Sequence, residues 1–519
     1  MNNPKPPATA LGERVLAHLR AVVAVDSQSD EASDTIPTTA GQSHLSDEIA
    51  RFFVRLGAKV ERDDQANMLA SVPGRGRGRG QAPLALMVHL DTARGSQATS
   101  DLSLLPAWDG SSVPYPRNQS LKVDVETYPT ARSFLGQTLV YGPGEAPFGL
   151  DDKLGLAQMM ALAELLVSDP SIEHPPLLFV ARPDEEVGRM EAVESLSQRL
   201  ADLGVRFGYT IDGILPFEIN GENFNGAHGS VTFTGRPLSL PPGWGEAVRV
   251  ELGGVNTHGA TAKAEGSRSA VRLAMEIRDL LPAGVARPFR FQSDELRDCD
   301  AEMDWVVGPG GRDALADAME QVVGPHINRG ASCSMLSIPR PAQVSDAAEQ
   351  MLSFVKDFLE TEGPRPLLAE DSEGRQGYSA PYRAVEDGQN LRLDVRIRDF
   401  TEAGLKARMD HLMALARRWG LAASVHHQYR NMGPRLAERP ELLQWPAEAG
   451  RQLRLEVVEA PIRGGTGVDP FLDRGIYVAN LGTGYFAPES EKEFTSLELM
   501  ERHTRWLAAI VEKVAISQA

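Results

Sequence analysis

Three short apolar runs in the first half of the chain each end in acids: "APLALMVHLD" at Asp91, "PPLLFVARPDEE" at Glu186 and "RFGYTID" at Asp212. A continuous apolar run of this length is the pattern of a strand buried on both faces, as in a parallel sheet. Between and around these runs lie stretches of helical period, "SHLSDEIARFFVRLGA" and "KLGLAQMMALAELLV" (Lys153 to Val167). Strand–helix alternation predicts an α/β domain with a mostly parallel sheet and helices on both faces. Ligands of such sheets bind at the carboxyl ends of the strands. His89, Asp91, Glu185, Glu186 and Asp212 are therefore expected along one edge, and "GLDDKLG" adds Asp151 and Asp152 at the start of a helix.

Each of these signals has an ordinary structural reading. Paired acids before a helix commonly cap it, and acids after a strand commonly open the next helix. Four acid-bearing segments on one edge are another matter, because they repel one another unless cations neutralise them. Histidine with Asp and Glu is a ligand set for a divalent metal such as zinc.

Beyond about Asn223 the texture changes to half-exposed strands and amphipathic helices, then returns at "GIYVANLGTG" and a long C-terminal helix pattern. This predicts a catalytic domain in two parts, 1–221 and 433–519, with an inserted α+β lid or dimerisation domain over 222–432. Within the insert, about 290–385 stands out as an extra Pro- and Gly-punctuated segment, and no internal repeat is visible. With 519 residues, two domains are expected. The net charge of −18 excludes a broad nucleic-acid surface. "GRGRGRG" (Gly74 to Gly80) reads as a solvated loop between strands. Two cysteines suit a reducing compartment and exclude a disulfide framework. Without a signal-peptide core or a long apolar run, no membrane partner is expected and the location is expected to be cytoplasmic.

Seven stretches carry a resemblance in order: "MVHLDTA", "LGQTLVYGPGEAPFGLDDKLGLA", "RPDEEVGRMEA", "GYTIDG" with "ENFNGAHGSV", "GGVNTHGATAK", "RIRDF" and "APIRGGTGVD". The chain resembles peptidase T, the tripeptide aminopeptidase branch of the dinuclear zinc peptidases that include aminoacylase and carboxypeptidase G. The resemblance spans about residues 12–510 and implies a hydrolase of amide bonds in small peptides. It implies two zinc ions per chain, held by His89, Asp151, Glu186 and Asp212, with Asp151 bridging both. It further implies Glu185 as general base toward the attacking water, and Asp91 behind His89 fixing the imidazole. His258 of "NTHGATAK" would stabilise the oxyanion, often from the partner subunit of a homodimer formed through the lid. Arg398 and Arg463 would hold a substrate carboxylate.

The chain departs from that pattern in three places. Gly259 and Ala260 replace the proline and glycine after His258, and Gly467 stands where an acid is expected, with Asp469 two residues later. In "PESEKEF", Glu489 occupies the slot of the last histidine ligand. Read by composition, this stretch is an acidic helix start, with Glu491 solvated and Glu493 shaping the loop. Glu489 as a ligand would give the second ion an all-oxygen shell, favouring Mn²⁺ or Co²⁺ over zinc; unligated, it would leave that site weak; in a rebuilt loop, Glu491 or another group would serve instead. Other readings of the chain are an amidohydrolase acting on an N-acyl amino acid or specialised metabolite, or a binding or scaffold protein that lost the second metal.

Overall fold

The computed structural model describes residues 10–240, 242–362, 375–388 and 390–518. Residues 1–9 of the expected first catalytic segment, 363–374 of the extra stretch and residue 519 lie outside the described residues. The chain divides into two compact units. Unit 1 comprises 1–119, 123–223 and 430–519; unit 2 comprises 120–122 and 224–429.

Unit 1 is built on an eight-stranded mixed sheet. Its centre runs Leu177–Arg182, Leu84–His89, Phe207–Gly213 and Tyr477–Gly482, all parallel. Each of the first three is one of the acid-ended apolar runs, so their carboxyl ends bring His89, Asp91, the 184–186 acids and Asp212 to a common edge. Leu177–Arg182 and Leu84–His89 are buried at every position, as strands covered on both faces must be. Antiparallel strands extend the sheet at both sides, Met68–Val72 and Lys59–Arg62 on one and Glu218–Asn220 on the other. The helices Ala10–Val23, Leu150–Ser168 and Leu497–Ser517 pack together against this core.

"GRGRGRG" forms a short 3-10 turn between strands. Arg75 donates to the Leu166 carbonyl at 2.7 Å, and Arg77 pairs with Glu173.

A separate four-stranded sheet pairs Tyr485–Phe486 with Phe494–Ser496, and the latter with Leu139–Tyr141. Residues 487–493 are therefore a hairpin loop rather than the start of a helix. The C-terminal helix begins at Leu497, capped by the Ser496 hydroxyl, which accepts the Leu499 N–H at 3.1 Å. Glu491 is not solvated: it is buried and ion-paired with buried Lys492 at 3.1 Å. Charges are tolerated inside only when matched in this way.

Unit 2 holds two four-stranded antiparallel sheets. One runs Ala286–Ser293, Asp300–Val307, Glu246–Gly253, Ser332–Ile338; the other runs Tyr378–Asp387, Asn390–Asp399, Asn225–Thr234, Ala422–Tyr429.

Candidate metal centre

His89 is the last residue of its strand, fully buried, and its imidazole is engaged on both sides. Nε2 lies 3.0 Å from Asp151 Oδ1 and 3.3 Å from Asp212 Oδ1. Nδ1 lies 2.9 Å from the Asp91 carbonyl and 3.3 Å from Asp91 Oδ1. With Nδ1–H donating to Asp91, Nε2 is left as the nitrogen that meets the two carboxylates, the tautomer a ligand needs. One ligand atom from each of His89, Asp151 and Asp212 lies within 4.8 Å of the other two.

Asp91 has a second task that the sequence did not suggest. Its Oδ1 accepts the Glu185 N–H and its Oδ2 the Glu186 N–H, both at 3.0 Å. One buried carboxylate thus fixes the imidazole and the backbone of the glutamate pair. Asp184, next in line, faces elsewhere: it accepts the Thr38 N–H at 2.9 Å and the Gln42 amide at 2.6 Å. It ties the strand end to the helix Ala40–Arg55 and stands apart from the cluster. Asp152 also serves the frame, accepting the His89 N–H at 3.1 Å.

The charges of the cluster do not balance within the protein. Burial, then Asp151, push the Asp212 carboxyl up to about 8. Burial, then Asp151 and Glu489, hold Glu186 well above the usual carboxylate range. Burial alone would lower His89, but Asp212, Asp151 and Asp91 outweigh it and raise the imidazole well above its ordinary value. Glu186 Oε1 is buried without a hydrogen-bond partner among the described residues. A buried lone pair of this kind is costly unless something positive meets it. The donor set fits a divalent cation: His89, Asp151 and Asp212 converge, and the charges of Asp151 and Glu489 both act on the buried Glu186.

Glu489 sits in the hairpin loop with φ +53, a conformation an L residue rarely adopts. Glu493 holds it there. Oε1 of Glu493 accepts the Glu489 N–H at 2.9 Å, while Oε2 accepts the N–H groups of Phe148 at 3.0 Å and Gly149 at 3.2 Å. One acid therefore joins the loop carrying Glu489 to the turn that leads into Asp151, and burial pushes its carboxyl up to about 8. Glu493→Ala leaves these buried amides without an acceptor. A loss of roughly 3 kcal/mol is expected, read as a lower denaturation midpoint. Glu493→Gln, which keeps a carbonyl, should lose less; an unchanged midpoint in the alanine variant would contradict the clamp.

Two neighbours escaped sequence reasoning. The Tyr485 hydroxyl donates to Asp151 Oδ2 at 3.0 Å. Arg182 is buried at the end of its strand, with Nη2 donating to the Thr466 carbonyl at 2.9 Å and lying 3.6 Å from Glu185 Oε1. A Cβ on Gly467 (φ +56) would come to 2.5 Å from this guanidinium, so a side chain there would displace Arg182 as well as strain the backbone. Asp469, meanwhile, pairs with Arg430 at 2.9 Å. A lone arginine closing an otherwise apolar buried run was the signal available for Arg182; nothing in the sequence marked Tyr485.

Arg463 is held in unit 1, where burial lowers its pKa and the Glu218 charge opposes that shift. The remaining expected site residues belong to unit 2. His258 caps the helix Gly259–Glu265, its Nδ1 accepting the Ala260 N–H at 3.3 Å. Arg398 directs Nη1 to the Ala227 carbonyl at 3.0 Å and Gln428 Oε1 at 3.0 Å, beneath the Tyr429 ring.

No protein-family model matches the chain. Peptidase T of Macrococcus caseolyticus is 24% identical over 509 residues, which is 96% of this chain and 98% of that protein. Peptidase T of Bacillus cereus strain Q1 is 22% identical over 512 residues, 97% and 98% of the two chains. Among solved structures, a tripeptidase from Staphylococcus aureus aligns over 97% of this chain and 99% of its own, with a TM-score of 0.53 at 15% identity. That likeness establishes the shared fold.

Proposed function

We propose that this chain, a peptidase T-like protein, is a metal-dependent hydrolase that cleaves peptide bonds in small peptides. The observation that carries the reading is the convergence of His89, Asp151 and Asp212 within 4.8 Å beside a glutamate pair whose backbone hangs on Asp91. His89, Asp151 and Asp212 would hold one divalent cation, and Asp151, Glu186 and Glu489 a second. Bound there, the ions supply Lewis-acid polarisation of the scissile carbonyl and lower the pKa of the attacking water.

The remaining roles belong to the side chains. Glu185 takes the proton of the attacking water and returns it to the leaving amine. Asp91 keeps the His89 ring in its ligating tautomer and the Glu185 carboxylate in place. Arg182 braces Glu185 from the other side. Because His258 Nδ1 accepts an amide, its Nε2 carries the N–H that an oxyanion needs. Arg398 and Arg463 read the substrate carboxylate.

The test is metal content beside turnover. Two ions per chain are expected, with tripeptide hydrolysis lost on chelation and restored by adding metal. A fully loaded protein that cleaves no peptide of a tripeptide library would refute the assignment. Zinc is the proposed ion for the His89 site. At the second site the oxygen shell favours Mn²⁺ or Co²⁺. Glu489→His should raise zinc affinity there by at least roughly tenfold, the scale on which even groups behind the ligands act. Equal zinc affinity and equal zinc-supported activity in the two proteins would remove Glu489 from the ligand set.

A further inference from the structure

Unit 2 contains the same arrangement twice. The outer module runs strand Asn225–Thr234, helix Ala347–Glu362, hairpin Tyr378–Asp387 and Asn390–Asp399, helix Glu402–Arg418, strand Ala422–Tyr429. The inner module runs strand Glu246–Gly253, helix Ala270–Leu280, hairpin Ala286–Ser293 and Asp300–Val307, helix Gly311–Val323, strand Ser332–Ile338. In both sheets the order is the same: first hairpin strand, second hairpin strand, opening strand, closing strand. The match extends to single residues. Each hairpin carries one bulge, at Pro288-Phe289-Arg290 and at Pro381-Tyr382-Arg383. Across from each arginine stands a buried aspartate, Asp304 in one and Asp394 in the other.

The inner module is inserted into the outer one through a closed stem. Pro237–Leu238 pairs antiparallel with Val344–Ser345, and the Arg236 N–H donates to Asp346 Oδ1 at 2.7 Å. The extra segment is thus better bounded by this stem than by residues 290 and 385.

The two modules meet as two subunits of a symmetric dimer would. Their outer hairpin strands run side by side and antiparallel. Gln292 Oε1 accepts the Glu386 N–H and Ser293 Oγ accepts the Ala384 N–H, both at 2.9 Å, while Arg290 pairs with Glu386 at 3.1 Å. The packing is reciprocal. The inner helix Ala270–Leu280 lies on the outer strand Tyr378–Asp387, and the outer helix Ala347–Glu362 lies on the inner strand Ala286–Ser293. The helices touch each other, joined by Arg278 Nε and Glu349 at 2.9 Å. A single apolar core crosses the seam, with Phe291, Met303 and Trp305 from one module and Phe354, Leu393 and Val395 from the other. Contacts of residue i with j and, in turn, of j's counterpart with i's are the mark of a two-fold interface. Side-chain-to-backbone bonds rather than a shared strand ladder join the two hairpin edges, and each sheet remains four-stranded.

We propose that unit 2 is an internal pseudo-dimer and that the chain acts as a monomer, its inner module standing where a second copy would otherwise stand. His258 belongs to the inner module. Its loop is seated on the outer one, with Ala260 packed among Phe224, Tyr378 and Phe400. On the function proposed above, a chain that acts as a monomer has only its own His258 to offer.

Light scattering on the eluting protein over a wide concentration range should give one species at the chain mass of 56.3 kDa. A stable species of twice that mass overturns the proposal. This measurement uses no activity, so a monomer that hydrolyses nothing would leave the pseudo-dimer standing and count against the hydrolase alone. For the origin of His258, Glu185→Gln and His258→Ala proteins are mixed and assayed. No recovery above the sum of the two is expected; recovery to a quarter of wild-type turnover would show His258 acting between chains.

Discussion

Glu185→Gln should lower kcat on a tripeptide by about 10²- to 10⁴-fold, the range contributed by a positioned general base, with KM and metal content little changed. The substitution keeps shape and hydrogen bonding but removes the group that accepts a proton. The backbone of residue 185 is fixed independently of its side chain, through Asp91 Oδ1 at 3.0 Å, so the variant carboxamide stays where the carboxylate was. Arg182 faces the side chain at 3.6 Å and holds it from the opposite direction. The adjoining Asp184 provides the contrast. It too is a carboxyl group, one residue away, yet it is spent on Thr38 and Gln42. Asp184→Asn should therefore cost stability and leave kcat within a few-fold, as expected of a group outside the reaction. A Glu185→Gln protein with kcat within tenfold of wild type would remove Glu185 from the chemistry.

The α/β class was legible because burial on both faces leaves a local mark. "LALMV" and "LLFVA" are apolar at successive positions, the pattern of a strand covered on both faces, and their shortness and acidic ends set them apart from the longer helical stretches. The meeting of His89 and Asp212 followed from the same logic, since parallel strands deliver their C-terminal residues to one edge, whereas Asp151 arrives from the start of a helix.

What was not legible depended on partners far away in the chain. Glu491 looked solvated because acids in a polar stretch usually are; its burial beside Lys492 is set by a hairpin that pairs with Leu139–Tyr141, more than three hundred residues earlier. Tyr485 is one aromatic among several until Asp151 is placed beside it. The duplicated module escaped notice because what repeats is connectivity, bulge position and one buried aspartate. The strands themselves share only a Pro-aromatic-Arg triplet, too short to register as a repeat.

Asp151→Ala should have the larger effect, because on the proposed reading Asp151 is the ligand shared by the two ions. Its Oδ1 meets His89 Nε2 at 3.0 Å, and its Oδ2 accepts the Tyr485 hydroxyl at 3.0 Å. Its charge acts on Asp212 and on Glu186, the acids assigned to the two different ions. Removing it withdraws a ligand from each site at once, so metal content should fall from two ions to fewer than one per chain. Turnover should fall by at least about a thousandfold, since losing a carbonyl-polarising ion removes several kcal/mol of transition-state stabilisation. The fold should survive, because the neighbouring turn is held by Glu493 through Phe148 and Gly149 rather than by Asp151. Asp152→Asn is the matched control: it keeps an oxygen for the His89 N–H and should retain both ions. If Asp151→Ala still bound two ions and turned over substrate, the shared-ligand centre would have to be abandoned, whereas loss of ions with an intact melting transition is the outcome the geometry requires.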